Sequence, residues 1–217
     1  MKEARYTKLY FEAYAKYSLQ YNYDDIFLKL RKSECPDFKS NKYDIGLEVT
    51  RAISRNDGKV WSYINQYYGR AEKGQALKNE IDTSYKGRYK SRYGLVADTA
   101  YFSSDLNDEQ IVEKVMETMN RKLFKLNNIY KIFENNYLYI FGETGLFDSE
   151  MIEKIKNKII ELDYQKKYDV IFINAIDRIF VIDLTEDSVE ETNIDDDVHR
   201  LCQKKAQKIS AEWEKKK

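Results

Sequence analysis

Residues 35–51 have the sequence CPDFKSNKYDIGLEVTR, and this stretch decides the predicted fold. Over residues 45–50, apolar side chains alternate with glycine or polar ones, which is the two-residue period of a half-buried β-strand. Pro36 and the polar segment around Asn41 bound the first half of the stretch. We therefore predict a short strand, a turn around Asn41 and a longer strand.

Two carboxylates come together if these strands form a hairpin. A turn centred between Lys42 and Tyr43 places Asp37 opposite or diagonal to Glu48, where side chains on paired strands lie about 4.5–5.5 Å apart at Cβ. Such carboxylates repel each other unless a cation lies between them, and carboxylates, waters and a substrate phosphate commonly bind Mg²⁺. The stretch therefore predicts a site for Mg²⁺ or Mn²⁺ at Asp37 and Glu48. The alternative is a turn aspartate and an exposed strand acid, each paired with a basic side chain.

The composition removes the main competing chemistries. The 217 residues include one His and two Cys, too few for a four-ligand zinc site of the Cys/His type. The sequence has neither a P-loop nor a dinucleotide-binding glycine motif. The 37 basic and 37 acidic side chains give a net charge of zero, which excludes a uniformly basic surface but not a local basic patch. Carboxylates with a hard metal remain as the chemistry available to an enzyme.

Helices and strands alternate along the rest of the chain. Helical periods occur in residues 6–17 and 60–71 and begin again near 107 and 148. Three later segments have the composition of buried strands, namely residues 137–141, 168–174 and 178–184. This order predicts an α/β fold with a mixed central β-sheet flanked by helices.

The segment YKGRYKSRY, residues 85–93, combines four basic residues with three tyrosines and has no acid. Basic side chains neutralise phosphates and tyrosines stack on bases, so we predict a nucleic-acid-binding segment. Its assigned residues are Lys86, Arg88, Tyr89, Lys90 and Arg92. The alternative is a solvated loop without a ligand.

The residue 35–51 stretch resembles the active-site motif of the PD-(D/E)xK nuclease superfamily. The resemblance rests on Pro36-Asp37, on Glu48-Val49-Thr50, on the preceding helix with Glu12 and on the order of the surrounding elements. It implies a restriction-endonuclease-like core in which Asp37 and Glu48 bind a divalent metal. Glu12 would be an accessory acid.

The sequence departs from the family motif at Thr50, which occupies the position of the catalytic lysine. A threonine hydroxyl can orient a water molecule but has no positive charge. Lys39 lies two residues from Asp37, on the same predicted strand face, and is the candidate for that charge. Thr50 and Lys39 are therefore both candidate catalytic residues.

The resemblance implies a Mg²⁺-dependent nuclease that hydrolyses phosphodiester bonds, with DNA favoured over RNA. The alternative is a catalytically degenerate nuclease-fold protein that binds nucleic acid or another protein, and Thr50 and the neutral net charge favour it. The sequence has no apolar run typical of a signal peptide or a membrane span, so we expect a cytoplasmic protein with no membrane partner.

Charge is sorted along the C-terminal part of the chain. Residues 183–197 contain eight acids and no base, and residues 203–217 contain six lysines and two glutamates. We predict a nuclease-like α/β domain, residues 1–185, and a charged extension, residues 186–217, that forms a helix packed on it. Pairing of the two charged blocks between chains would give a homodimer, whereas their pairing with residues 85–93 would give a self-masking module.

Overall fold

The computed structural model describes residues 8–52, 89–91, 101–103, 107–142, 147–175 and 177–215. The chain divides into two compact units, residues 1–52 with 112–217, and residues 53–111. In the smaller unit, strands β4 (Tyr89–Ser91) and β5 (Tyr101–Ser103) pair antiparallel. The helix predicted at residues 60–71 and the site residues Lys86, Arg88 and Arg92 lie outside the described residues. The binding role of Tyr89 and Lys90, in β4, stays a prediction.

The larger unit contains a mixed sheet of seven strands in the order β1-β2-β3-β6-β7-β8-β9. Its strands are β1 (Arg31–Lys32), β2 (Phe38–Ser40), β3 (Ile45–Arg51), β6 (Asn135–Phe141), β7 (Val170–Asn174), β8 (Arg178–Asp183) and β9 (Ser188–Asn193). The described helices are α1 (Lys8–Asn22), a 3₁₀ helix (Asp25–Lys29), α2 (Asp108–Asn128), α3 (Ser149–Glu161) and α4 (Asp196–Glu214). The predicted α/β fold with a mixed sheet and flanking helices is confirmed.

The predicted hairpin of residues 38–51 is present with the predicted register. Strands β2 and β3 are antiparallel, and Phe38 pairs with Leu47 while Ser40 pairs with Ile45. Continuing this register by one position places Asp37 opposite Glu48. Strand β3 then pairs in parallel with β6, so the hairpin lies at one side of the sheet and β3 is covered on both edges.

Residues paired across the strands define the two faces of the sheet. Val49, Tyr139, Phe172 and Val181 form one row across four neighbouring strands, and they belong to the hydrophobic core shared with α1 and α4. Because successive side chains of a strand point to opposite faces, Glu48 points away from this core. On that opposite face it meets α2.

Helices α2 and α3 begin where the sequence predicts them. Asn107 and Gln110 form a capping box at the start of α2, with N–H to side-chain oxygen distances of 3.1 and 2.9 Å. The Asp148 carboxylate accepts a hydrogen bond from the Met151 N–H and caps α3. Such side-chain caps satisfy backbone donors that have no partner within the helix.

The C-terminal residues supply both a strand and a helix. Strand β9 pairs with β8 at an edge of the sheet, and α4 packs against α1. At that helix contact the Tyr14 hydroxyl lies 2.7 Å from His199 Nδ1. Strand β9 was not predicted, because an exposed edge strand containing Glu190 and Glu191 lacks an apolar alternation.

Gly46 occupies a position in β3 that admits no larger side chain. A Cβ atom there would lie 2.7 Å from Phe133 Cδ2 and 3.1 Å from Pro36 Cγ. Overpacking of a filled core costs about 1–3 kcal/mol. We expect Gly46→Ala to lower the free energy of unfolding by that amount in urea titrations. We also expect Phe133→Leu to be less destabilising in the Gly46→Ala background than alone; additive effects in the four-variant cycle would contradict this account.

Candidate active site

Three carboxylates are buried at the hairpin end of the sheet, where Asp37 lies beside both of the others. Glu12 comes from α1, Asp37 from the residue before β2, and Glu48 from the middle of β3. Their exposed fractions are 1%, 1% and 3%, respectively. Burial of a carboxylate is costly unless it is paired or hydrogen-bonded, so the partners of each acid determine what the cluster can do.

Asp37 and Glu48 are joined across the hairpin. The backbone N–H of Asp37 donates to Glu48 Oε2 at 3.3 Å. The Asp37 carboxylate in turn accepts the N–H of Val49 through Oδ2 at 2.9 Å. Each acid is therefore positioned by the backbone of the strand opposite it, which fixes both side chains to the register of the hairpin.

Glu48 is bound from the α2 side of the sheet. Lys122 of α2 forms an ion pair with Glu48 Oε1, and the Tyr130 hydroxyl donates to the same oxygen at 2.7 Å. Lys122 is itself buried. Burial, followed by the hydrogen bond to the Glu48 carboxylate, raises the pKa of Tyr130, which keeps this hydroxyl a proton donor at neutral pH.

Glu12 and Asp37 share two lysines on the α1 side. Lys8 Nζ lies 3.2 Å from Glu12 Oε1 and 3.0 Å from Asp37 Oδ1, and Lys32 Nζ lies 3.0 Å from Glu12 Oε2. These four side chains line a cavity of about 350 Å³, whose wall also includes Trp213. The acids therefore border a space that a small ligand could enter.

The two neighbouring carboxylates have opposite pKa shifts. Burial, followed by the negative charge of Asp37, raises the pKa of Glu12. Burial alone would raise the pKa of Asp37 as well, but the neighbouring Glu12 carboxyl, the hydrogen bond from the Val49 N–H and the Lys8 charge outweigh it and lower that pKa. Of the two acids, Asp37 is therefore the stronger and Glu12 the weaker.

This arrangement predicts a pH-dependent stability. Because the pKa of Glu12 is raised in the folded state, its contribution is complete below its ordinary pKa of 4.5 and is lost as the pH rises through the folded value. We expect the free energy of unfolding to fall over that range in the parent and to fall less in Glu12→Gln, by about 1.4 kcal/mol for each unit of raised pKa.

Urea titrations from pH 4.5 upward measure this difference. Glu117→Gln is the matched control, since Glu117 is exposed on α2. A Glu12→Gln variant with the pH dependence of the parent would contradict the raised pKa of Glu12.

The remaining predicted site residues lie at different distances from this cluster. Thr50 is half-buried on β3, two residues from Glu48 and on the same face. Lys39 lines a second cavity with Lys29 and Arg31, and it makes no ion pair with Asp37 or Glu48 in the described ranges. The catalytic roles of Thr50 and Lys39 stay predictions.

Sequence reasoning did not find Lys122, Tyr130, Lys8 or Lys32 as partners of the acids. A signal for Lys122 was present, because it follows Val115 and Met119 by seven and three residues and so lies on the apolar stripe of α2. A lysine at such a position has a buried partner or reaches a site. Lys8 precedes Glu12 by four residues, the spacing of a helical ion pair.

The cluster contains the donor type that a hard divalent cation prefers, but its carboxylates are paired with lysines. Carboxylate oxygens are the protein ligands of Mg²⁺, which usually takes only one or two carboxylates together with waters and a substrate phosphate. Neither oxygen of buried Glu12 has a partner in hydrogen-bond geometry, although both lie at ion-pair distance from lysines. Across the described ranges, no group of three or more His, Cys, Asp or Glu side chains is arranged to hold one metal ion.

Comparison with known proteins leaves the function to be inferred from this site. No protein-family model, curated protein or solved structure matches the chain. None of the helices in the described part of the chain is long and apolar enough to cross a membrane.

Proposed function

We propose that this protein is a Mg²⁺-dependent nuclease with a restriction-endonuclease-like core that hydrolyses phosphodiester bonds, in DNA rather than RNA. The observation that supports it is the hydrogen-bonded pair of buried acids, Asp37 and Glu48, at the end of a hairpin in a mixed sheet. The flanking helices α1 and α2 and the parallel strand β6 agree with the core that the sequence motif implies.

Asp37 and Glu48 would hold the metal, and Glu12 lies beside Asp37 as an accessory acid. A bound Mg²⁺ lowers the pKa of a water molecule and stabilises the negative charge that develops on the phosphate. The backbone hydrogen bonds of the hairpin hold the Asp37 and Glu48 side chains in place, so little reorganisation is required when substrate binds.

Lys122 supplies the positive charge that Thr50 does not. Its ammonium approaches Glu48 from α2 rather than from the strand, and Tyr130 orients the same carboxylate. Lys8 and Lys32 border the cavity at Asp37 and are placed to contact a phosphate oxygen once the acids bind a cation. In this proposal metal and substrate enter together, so that the cation adds positive charge beside the acids while the phosphate adds negative charge beside the lysines.

A cleavage assay with purified protein tests this function. Linear duplex DNA, single-stranded DNA and RNA are incubated with Mg²⁺ or Mn²⁺, and the products are separated on denaturing gels. We expect DNA cleavage that stops when EDTA removes the metal. Absence of any metal-dependent cleavage, with a folded protein and all three substrates, would contradict the proposal.

The lysines that pair with the buried acids favour a second function, which is nucleic-acid or protein binding without cleavage. Every buried acid of the cluster already has an ammonium partner, which is the arrangement of a structural ion-pair network. Titration calorimetry with Mn²⁺ separates the two functions. A nuclease should bind the ion and lose that binding in Asp37→Asn, whereas a binding module should give no Mn²⁺ signal in either form.

A further inference from the structure

A second cavity of about 510 Å³ lies beside strands β1 and β2, and cations dominate its lining. Lys29, Arg31, Lys39 and Lys42 surround it together with Tyr43, and we call this set the basic pocket. The other lining residues are Ser40 and Asn41, so no acid is among them. Its volume falls within the range of about 300–1,000 Å³ that is typical of ligand sites.

The cations of the basic pocket are close to one another. Arg31 and Lys39 are direct partners in the β1–β2 ladder, a placement that is destabilising for two like charges. Lys29 Nζ and Lys42 Nζ lie 5.4 and 5.1 Å from the ring centroid of Tyr43. Two cations therefore approach one tyrosine ring, and two more face each other across the strands.

Within the described residues, no acidic side chain offsets this charge. Within the described ranges, none of the four cations has a carboxylate at ion-pair distance, whereas Lys8, Lys32 and Lys122 of the active-site cluster are all paired. Hydrogen bonding by Lys42 lowers the pKa of the Tyr43 hydroxyl, and the charge of Lys29 adds to the effect. The pocket thus has a concentrated positive potential that an anion would relieve.

We propose that the basic pocket binds the phosphate groups of a nucleic-acid backbone. Lysine and arginine side chains that neutralise phosphates release condensed counterions, and this release drives binding independently of base sequence. The inference rests on the proposed function, because it gives the nucleic-acid substrate a second contact away from the acids.

The distribution of the cations favours a chain of phosphates over a single one. Lys29 comes from the 3₁₀ helix, Arg31 from β1, Lys39 from β2 and Lys42 from the following turn. Lys29, Arg31 and Lys42 are exposed. One small phosphate ligand is better held by enclosed donors, whereas exposed charges on several segments can follow an extended polyanion.

DNA binding, measured under conditions that prevent cleavage, tests this proposal. Fluorescence anisotropy of labelled duplex and single-stranded DNA, measured in EDTA over a series of salt concentrations, compares the parent with Lys39→Gln/Lys42→Gln. We expect the double variant to bind about tenfold more weakly at low salt. The slope of log affinity against log salt should fall by about 1.8 for duplex DNA or about 1.4 for single strands, since each contact contributes roughly 0.9 or 0.7.

Lys154→Gln/Lys158→Gln is the matched control, because these two exposed lysines of α3 remove the same charge elsewhere. Parental affinity and slope in the Lys39→Gln/Lys42→Gln variant would overturn the proposal, as would an equal loss in the control. Competition of inorganic phosphate and of a nucleoside triphosphate with the labelled DNA shows whether the pocket binds free phosphate compounds or a nucleic-acid backbone. Loss of triphosphate binding with unchanged DNA binding would overturn the nucleic-acid assignment.

Because binding is measured in EDTA, where metal-dependent cleavage does not occur, a failed cleavage assay and a failed basic pocket give different outcomes. Size-exclusion chromatography at low salt tests whether the pocket instead binds the acidic residues 183–197 of a second copy of the chain. A dimer that is lost in Lys39→Gln/Lys42→Gln, together with unchanged DNA binding, would overturn the proposal.

Discussion

Asp37→Asn is expected to lower Mg²⁺-dependent cleavage by about 100-fold or more. Removal of even an outer-shell partner of a catalytic metal costs about 10–100-fold, and Asp37 would be a direct ligand. Asparagine keeps an oxygen that can accept the Val49 N–H, so the hairpin should remain intact. Initial cleavage rates at saturating Mg²⁺ measure the effect, and Glu48→Gln should behave similarly.

Asp197→Asn provides the matched control for this experiment. Its carboxylate lies on the exposed first turn of α4, where its side chain is 94% exposed, and its removal should leave the cleavage rate unchanged. Urea titrations establish that each variant is folded. If folded Asp37→Asn and Glu48→Gln proteins both cleave as fast as the parent, the assignment of these acids to the metal is wrong.

Lys122→Met is expected to lower the free energy of unfolding by about 3–5 kcal/mol, the usual cost of breaking a buried ion pair by removing one partner. Methionine retains most of the lysine volume, so the effect should come from the uncompensated Glu48 carboxylate. That carboxylate keeps the Tyr130 hydroxyl and the Asp37 N–H as partners, but neither has a full positive charge.

Equilibrium unfolding in urea measures this loss. Lys125→Met on the same helix is the control, because Lys125 forms no ion pair with an acid in the described part of the chain. Adding Glu48→Leu to Lys122→Met should restore much of the lost stability, since a well-packed apolar pair often replaces a buried ion pair without cost. A Lys122→Met protein as stable as the Lys125→Met control would show that this ion pair does not stabilise the fold.

The hairpin and its acids could be predicted because local pattern determines them. A two-residue period bounded by polar residues specifies a strand, and the position of the turn then fixes which residues face each other. This reasoning correctly placed Asp37 opposite Glu48.

The partners of the acids could not be predicted because they depend on tertiary packing. Lys122 is 74 residues from Glu48, and Tyr130 is 82 residues away. Thr50 was chosen by its position in the family motif and Lys39 by its nearness to Asp37, and neither criterion can show that a helix places a lysine at Glu48. Strand β9 was missed for a related reason, since its stability comes from pairing with β8 rather than from its own composition.

Strand β1 is only two residues long, yet its alternation divides two cations between two separate sites. Lys32 reaches Glu12 on one side, while Arg31 lines the basic pocket on the other. Insertion or deletion of one residue between Leu30 and Arg31 would exchange the sides to which these cations point. A single indel there would alter both sites together, so the length of this connection should tolerate far less variation than the exposure of Lys29 and Arg31 suggests.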